Sequence, residues 1–259
     1  MILTGDCLEI LPTLEADSVQ LKRLTVSYFS AGVSSAVATK LAIESIDRIF
    51  YTHIDDQHPD TMRFVKDCEA WFGKSVEIWQ SYLFKTVEEV CRYRKFLLHR
   101  IMGAPCTGML KRDVRKKFEY ENGENLRVVW GMDCTEKHRA DRIREYMPEQ
   151  EHIFPLIELG IDKKQAHEIM TASGIKRPAM YDLGYHNNNC IGCIKGGMGY
   201  WNKIRIDFPE VFARRAKLER DIGFSITKGV FLDELRPEQG RHDPPITGDC
   251  GILCEVMAL

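Results

Sequence analysis

The sequence lacks any run of about 20 apolar residues, the length that a membrane-spanning helix needs. It also lacks a positively charged start followed by an apolar stretch, so no signal peptide and no membrane partner are expected. Its charges nearly balance, with 36 basic residues, 38 acidic residues and a formal net charge of −2. Any contact with nucleic acid would therefore depend on a local basic patch.

The sequence has no internal repeat and no low-complexity segment, but it is rich in cysteine, with nine in 259 residues. Without a secretion signal, this content predicts a reducing compartment, and we expect a cytoplasmic protein whose clustered cysteines bind metal or take part in catalysis. The cysteines that stand alone are expected to be small buried hydrophobic residues: Cys7, Cys68, Cys91 and Cys134.

One cysteine pair, Cys190-x-x-Cys193, has the spacing of a metal-binding or redox site. Its short loop can turn both sulfurs toward one centre, but the motif alone does not distinguish zinc, an iron–sulfur cluster and a redox dithiol. Cys106 lies upstream of the pair, and Cys250 and Cys254 lie downstream. We therefore expect sulfur chemistry, with iron as the metal and zinc as the alternative.

Short β-branched segments alternate with longer segments of helical period, a pattern typical of an α/β fold with a doubly wound parallel sheet. Strands are predicted over 22–29, 48–54, 75–79 and 126–132. Helices are predicted over 36–46, 58–73, 84–101, 107–121, 136–146 and 163–173, with one more near 205–221. The expected organisation is an N-terminal extension (1–21), an α/β domain (22–178) and a cysteine-bearing C-terminal region (179–259).

The segment after the first predicted strand, Ser30-Ala31-Gly32-Val33-Ser34-Ser35, is rich in small residues. In a doubly wound fold this position is the natural anion site, because small side chains let phosphate reach the N–H groups that begin the next helix. The segment matches neither G-x-G-x-x-G nor a P-loop, so it favours neither a dinucleotide site nor a Walker-type NTPase. Taken alone, such a segment can also be a plain turn.

Six segments, in order, resemble the sulfonucleotide (PAPS/APS) reductases of the ATP-pyrophosphatase-like (adenine nucleotide alpha hydrolase-like) superfamily. The first is the small-residue loop itself, which is similar to Ser-Gly-Gly-x-Asp-Ser. The others are 54–61, 106–111, Gly131 with Glu136, Arg139 and Arg142, 181–193, and 249–253. Four positions depart from the family pattern: Ala31 replaces Gly, Ser34 replaces Asp, Thr107 replaces a second cysteine and Leu253 replaces His.

The resemblance implies an adenine-nucleotide site, with magnesium as a possible companion ion. The residues that would form this site are Ser30, Ala31, Gly32, Ser34, Ser35, Asp55, Lys111, Arg139 and Arg142. It also implies a [4Fe–4S] cluster on Cys106, Cys190 and Cys193, whose fourth iron could take Cys254, Thr107 or water, or stay open. Cys250 matches the nucleophile of the family's C-terminal tail.

The implied activity is reduction of PAPS or APS to sulfite with a thiol reductant protein as partner. Two alternatives stay open. One is ATP-dependent transfer of sulfur to a nucleic acid, and the other is a nucleotide- or nucleic-acid-binding module in which zinc joins Cys190, Cys193, Cys250 and Cys254. The sequence chooses neither between APS and PAPS nor between oligomeric states.

Several of these residues also have a plainer interpretation. Arg139 and Arg142 could form a solvated helix face, and so could the basic run Lys111, Arg112, Arg115, Lys116 and Lys117, which could instead steer phosphate. Tyr200 and Trp201 are expected to serve packing, and His58 is expected to cap a helix.

Overall fold

The computed structural model describes residues 23–98, 103–123, 125–227 and 229–241. The predicted extension over 1–21 lies outside these residues, and so do Cys250 and Cys254. Within the described part of the chain, no helix combines the length and the apolar character needed to cross a bilayer.

The centre of the fold is a five-stranded sheet in which all neighbouring strands run parallel, in the order β3-β2-β1-β4-β5. The strands are β1 (Thr25–Phe29), β2 (Arg48–Thr52), β3 (Val76–Trp79), β4 (Arg127–Val129) and β5 (Glu151–Ile153). This arrangement confirms the predicted α/β class with a parallel sheet.

Helices cover both faces of the sheet. They are α1 (Val33–Leu41), α2 (Asp60–Phe72), α3 (Val87–Arg94), α4 (Asp113–Asn122), α5 (Lys137–Tyr146), α6 (Pro155–Glu158), α7 (Lys163–Ala172), α8 (Ala179–Asp182), α9 (Met198–Asp207) and α10 (Pro209–Ile222). A short α-helical segment, Pro105–Thr107, and a π-helical turn, Gly108–Arg112, lead directly into α4.

Successive strand residues point to opposite faces of the sheet and contribute to two hydrophobic clusters, one on each face. Phe29 and Tyr51 pack with residues of α1, α2 and α7 on one face. Val26 and Phe50 pack with residues of α4 and α5 on the other. Both faces are thereby buried, as a parallel sheet requires.

A third hydrophobic cluster joins α3, the segment around Cys106, and the chain after residue 179. Cys190 and Cys193 belong to it, together with residues of α9 and α10. Tyr200 and Trp201 are buried here, at 1% and 0% exposed, which confirms their predicted packing role. The cysteine pair therefore sits in a hydrophobic core of its own and not on the sheet.

The structure shifts the bounds of two predicted helices and adds one strand. The helix expected near 205–221 is present as α10, which begins at Pro209, and a separate helix, α9, ends just before it at Asp207. Proline has no N–H to continue a helix but suits the first position of a new one. The helix expected over 84–101 is shorter, since α3 ends at Arg94 and Lys95 is left-handed. Strand β5 was not predicted, since its three half-buried residues show no alternation of apolar and polar side chains.

The basic run at the start of α4 is not uniformly solvated. Arg115 is 6% exposed and donates to Glu119, which also accepts hydrogen bonds from Tyr28 and Gln150. The pairing allows a guanidinium to lie in the core, where an unpaired charge would be costly. Periodicity alone does not reveal this, because Tyr28 and Gln150, which bind Glu119, lie far from α4 in the sequence.

Phe118 of α4 packs on the face of the sheet that α4 and α5 cover, and its substitution tests this packing. It is fully buried, with ring centroids 4.8 Å from Phe50 and 5.4 Å from Trp79. We expect Phe118→Ala to lower the free energy of unfolding by about 3–5 kcal/mol, because it opens a cavity in a packed core. Urea denaturation measures the loss. Tyr120→Ala on the same helix is the control: Tyr120 is 84% exposed, and its loss should change stability by no more than about 0.5 kcal/mol. Equal effects of the two substitutions would contradict this packing.

Candidate functional site

Strands β1 and β4 are neighbours at the centre of the sheet, and their connections lead to helices on opposite faces. A doubly wound sheet opens a crevice at this point, beyond the carboxyl ends of the strands, and ligands bind there. Gly131, just after β4, approaches α1 so closely that a Cβ on it would lie 2.4 Å from the Cα of Ser35. A glycine is therefore required at this edge of the crevice.

The small-residue loop lies between β1 and α1, as predicted. Ala31 has φ of 59°, in the left-handed region that glycine adopts without strain, so this position keeps the backbone shape of a glycine. The Ser30 N–H donates to Ser35 Oγ at 2.9 Å and closes the turn. Gly32 is the N-cap residue of α1 and has no side chain to cap the helix. The positive end of the helix dipole is thus available to an anion.

The Ser30 hydroxyl is the second feature of the loop that points to a ligand. Its Oγ is buried and has no hydrogen-bond partner among the described residues. A buried hydroxyl without a partner costs free energy, so native structures rarely leave one. An anion oxygen over the loop would give this hydroxyl an acceptor.

Two side chains from the C-terminal region reach this loop, and sequence analysis assigned neither of them to it. The Val33 N–H, in the first turn of α1, donates to the Tyr181 hydroxyl at 3.3 Å. Asn188 Nδ2 donates to the Ala31 carbonyl at 2.9 Å and so holds the left-handed residue. Asn188 is two residues before Cys190, which ties the cysteine-bearing loop to the anion loop. The only hint of these contacts in the sequence is the run of three asparagines, 187–189, directly before the C-x-x-C motif.

Asp55 and Asp56 follow β2 and have different roles. The Asp55 carboxylate is about half exposed, accepts a hydrogen bond from Gln80 at 2.6 Å and lies 3.5 Å from His53. Asp56 points inward, and its carboxylate pairs with Arg215 of α10 at 2.6 Å. The predicted residue, Asp55, is therefore the one open to a ligand or ion.

The three cysteines predicted as cluster ligands lie in one hydrophobic cluster. Cys106, Cys190 and Cys193 are 6%, 6% and 3% exposed. The Tyr200 hydroxyl accepts from the Cys193 N–H at 2.9 Å and donates to the Cys190 carbonyl at 3.4 Å, which shapes the turn between the thiols.

The donor chemistry of these thiols suits either an iron–sulfur cluster or a zinc ion. Among the described residues, no three His, Cys, Asp or Glu side chains form a group that could hold a single metal ion. The four-thiolate zinc alternative needs Cys250 and Cys254, which lie outside the described residues.

A small cleft, of about 10 Å³, opens beside one of these cysteines. Cys190 forms part of its wall, together with Met180, Tyr185, Asn189 and Tyr200. Asn189 is 7% exposed, and its Nδ2 has no partner among the described residues. Tyr181 and Asn188 contact the 30–35 loop, and their chain neighbours Met180, Asn187 and Asn189 line the cleft.

The predicted cationic residues differ in exposure. Arg139 lies in the first turn of α5 and is 6% exposed, paired with Glu136, whereas Arg142 on the same helix is exposed. Lys111 is half-buried in the π-helical turn that follows Cys106. His58 caps α2, as expected, because its Nδ1 accepts from the Asp60 N–H at 3.1 Å.

His167 supports Tyr181 and makes the site sensitive to pH. The two ring centroids are 4.7 Å apart, edge to face. Burial lowers the pKa of His167 to about 4, and the charges of Arg177 and Lys163 act in the same direction. His167 is therefore neutral in the folded protein at a pH where the unfolded chain, with a histidine pKa of about 6.5, takes up a proton.

Stability that depends on neutral His167 is complete above about pH 6.5 and is lost as the pH falls toward 4. We expect wild-type protein to lose roughly 1–2 kcal/mol of unfolding free energy from this group over that range, a value discounted for its partial exposure. His167→Gln should reduce the loss by that amount. Chemical denaturation at pH 7 and pH 4.5 measures it, and identical losses in the two proteins would show that His167 is not the cause.

Comparisons with known proteins find similarity only among solved structures. No family model matches the chain, and no curated protein matches it. Among solved structures, the chain is similar to a phosphoadenylyl-sulfate (PAPS) reductase from Candida auris, solved as a phosphate complex. The identity is 14%, the match covers 73% of this chain and 97% of the other, and the TM-score is 0.47.

Proposed function

We propose that this chain is an enzyme of the sulfonucleotide-reductase type, which binds an adenine nucleotide at the 30–35 loop and reduces APS or PAPS to sulfite. The observation that carries the proposal is the link between an anion site and buried thiols. Asn188 holds Ala31 of the loop, and Cys190 follows two residues later in a cleft wall. An anion held by the loop would lie on the side of the molecule where the thiols are.

The loop's part in the reaction would be to hold the substrate anion. The N–H groups that begin α1 and the Ser30 hydroxyl would donate to phosphate or sulfate oxygens, and Gly131 leaves room at the crevice. Asp55 would bind the nucleotide directly or through magnesium. The cations predicted for the anion are Lys111, Arg139 and Arg142.

The thiol chemistry would use Cys250 as nucleophile. Its thiolate would attack the sulfur of the sulfo group, an S–S bond would form, and the S–O bond to phosphate would break with its electron pair leaving on AMP or its 3′-phosphate. A thiol reductant would then attack the Cys250 sulfur and release sulfite, leaving a disulfide between reductant and enzyme.

Cys106, Cys190 and Cys193 would hold a [4Fe–4S] cluster, with Cys254 as the candidate fourth ligand. When bound, such a cluster supplies a redox-active metal centre beside the anion site. The turn that Tyr200 shapes, between Cys190 and Cys193, would orient two of the ligands.

The nucleotide that is consumed tests the proposal. Anaerobic protein is incubated separately with APS, PAPS and ATP in the presence of a dithiol reductant, and the products are separated by chromatography. We expect sulfite together with AMP or adenosine 3′,5′-bisphosphate. Consumption of ATP alone, with sulfur appearing in an added nucleic acid, would favour the sulfur-transfer alternative. No turnover of any nucleotide would favour the binding module.

Ser30→Ala separates ligand binding from stability. The hydroxyl has no partner in the described part of the chain, so its loss should leave the free energy of unfolding within about 0.5 kcal/mol of wild type. We expect calorimetry to show nucleotide affinity reduced about three- to tenfold, which corresponds to roughly 1 kcal/mol.

Ser27→Ala is the matched control for this experiment. Ser27 lies in β1, and its Oγ is 2.6 Å from Thr39 Oγ1, so its removal should cost about 1 kcal/mol of stability and leave affinity unchanged. Unchanged nucleotide affinity in Ser30→Ala would move the anion site away from this loop.

Metal content tests the role assigned to the cysteines. We expect anaerobically purified protein to contain iron and sulfide, and Cys190→Ala to lose both together with visible absorbance. Cys91→Ala is the control, because Cys91 is equally buried in the same hydrophobic cluster but lies outside the motif. Zinc without iron in the wild-type protein would contradict the cluster and support the zinc alternative.

A further inference from the structure

Asp56 connects the end of β2 to three other parts of the chain. Its carbonyl accepts from the Ile191 N–H, inside the C-x-x-C turn, at 2.8 Å. One carboxylate oxygen accepts from the Val87 N–H at the start of α3, at 2.5 Å. The other pairs with Arg215 at 2.6 Å. One residue therefore contacts the cysteine turn through its backbone and α3 and α10 through its side chain.

Arg215 of α10 binds both Asp56 and the cysteine turn. Its Nε donates at 3.3 Å to the carbonyl of Gly192, the second of the two residues between the cysteines, and its NH1 lies 3.7 Å from Glu88. The Arg215 side chain is 1% exposed and that of Asp56 is 8% exposed. The guanidinium thus bridges Asp56 and the cysteine turn within the core.

The turn itself accepts little change in position. Gly192 has φ of 67°, and a Cβ on it would lie 2.6 Å from Val211 of α10. Its backbone shape and its distance from α10 are therefore both fixed. Two hydrogen bonds then set its position, one from Ile191 to Asp56 and one from Arg215 to Gly192.

A buried ion pair is a poor source of stability, because the cost of removing both charges from water offsets most of their attraction. Its directional hydrogen bonds do define geometry. We propose that Asp56 and Arg215 are a positioning pair that holds the Cys190–Cys193 turn against the carboxyl end of β2, beside the ligand-facing Asp55. The pair acts on the thiols through the turn, whether or not the proposed reductase activity is correct.

The test is the rate at which individual cysteines react with iodoacetamide, measured by peptide mass spectrometry. Full-length protein is labelled anaerobically, as purified and again after chelation with elemental analysis, so that bound metal does not determine the result. Cys68 is fully buried in the cluster on the sheet's first face, so its labelling reports global opening. The measured quantity is the labelling rate of Cys190 and Cys193 relative to that of Cys68.

In Arg215→Met we expect this ratio to rise at least tenfold in both preparations, because the turn loses the hydrogen bond from Arg215 of α10 to the Gly192 carbonyl. Arg215→Lys keeps the charge but not the fork of donors, and should give a smaller rise. The matched control is Arg220→Met on the same helix, where Arg220 pairs with Asp233 at the surface. Its ratio should equal that of wild type.

An unchanged ratio in Arg215→Met would overturn the proposal. This holds if Cys190, Cys193 and Cys68 are all labelled faster by the same factor, and it also holds if none of their labelling rates changes. If that variant does not fold, Asp56→Asn enters the same assay, because it keeps the size of the side chain and removes its charge. At least a threefold rise in the ratio is then expected, and a ratio equal to that of wild type would overturn the proposal. Neither readout depends on nucleotide turnover, so failure here is distinguishable from failure of the proposed function.

Discussion

The close approach of Gly131 to the first turn of α1 is the constraint on which the site depends. A Cβ at residue 131 would meet the Ser35 backbone at 2.4 Å, so β4 and α1 come together only because this residue is glycine. Their contact places the end of β4 beside the anion loop, at the point where the sheet's connections diverge. The start of α1, with Gly32 as its N-cap residue, and the buried Ser30 hydroxyl belong to this loop, and the proposed anion site rests on them.

The C-terminal region completes this site through polar contacts and not through the sheet. Tyr181 and Asn188 reach the loop across 148 and 157 residues of sequence, and Asp56 reaches Arg215 across 159. Each contact joins a loop at the sheet edge to the segment that carries the thiols. The C-terminal region therefore does more than carry cysteines, since its polar contacts join it to the loops that follow β1 and β2.

The sequence predicted what local pattern determines. The strand before the anion loop and the alternation of strands and helices follow from periodicity and small-residue turns, and the structure confirms them. Long-range polar partners left no such signal. Asp55 and Asp56 look alike in sequence, yet one is open and the other is buried against Arg215. Arg115 and Arg215 occur in charged helical segments that resemble solvated faces. Arg215 is buried against the distant Asp56, and Arg115 against Glu119 of its own helix, which itself accepts hydrogen bonds from the distant Tyr28 and Gln150.

The most direct test of the account is a crystal structure of the anaerobic protein with adenosine 5′-phosphosulfate bound. The account predicts phosphate or sulfate oxygens within hydrogen-bond distance of Ser30 Oγ and of the N–H groups that begin α1. It also predicts anomalous scattering from iron beside Cys106, Cys190 and Cys193. A nucleotide bound away from the 30–35 loop, or a site at these cysteines that scatters as zinc, would contradict it.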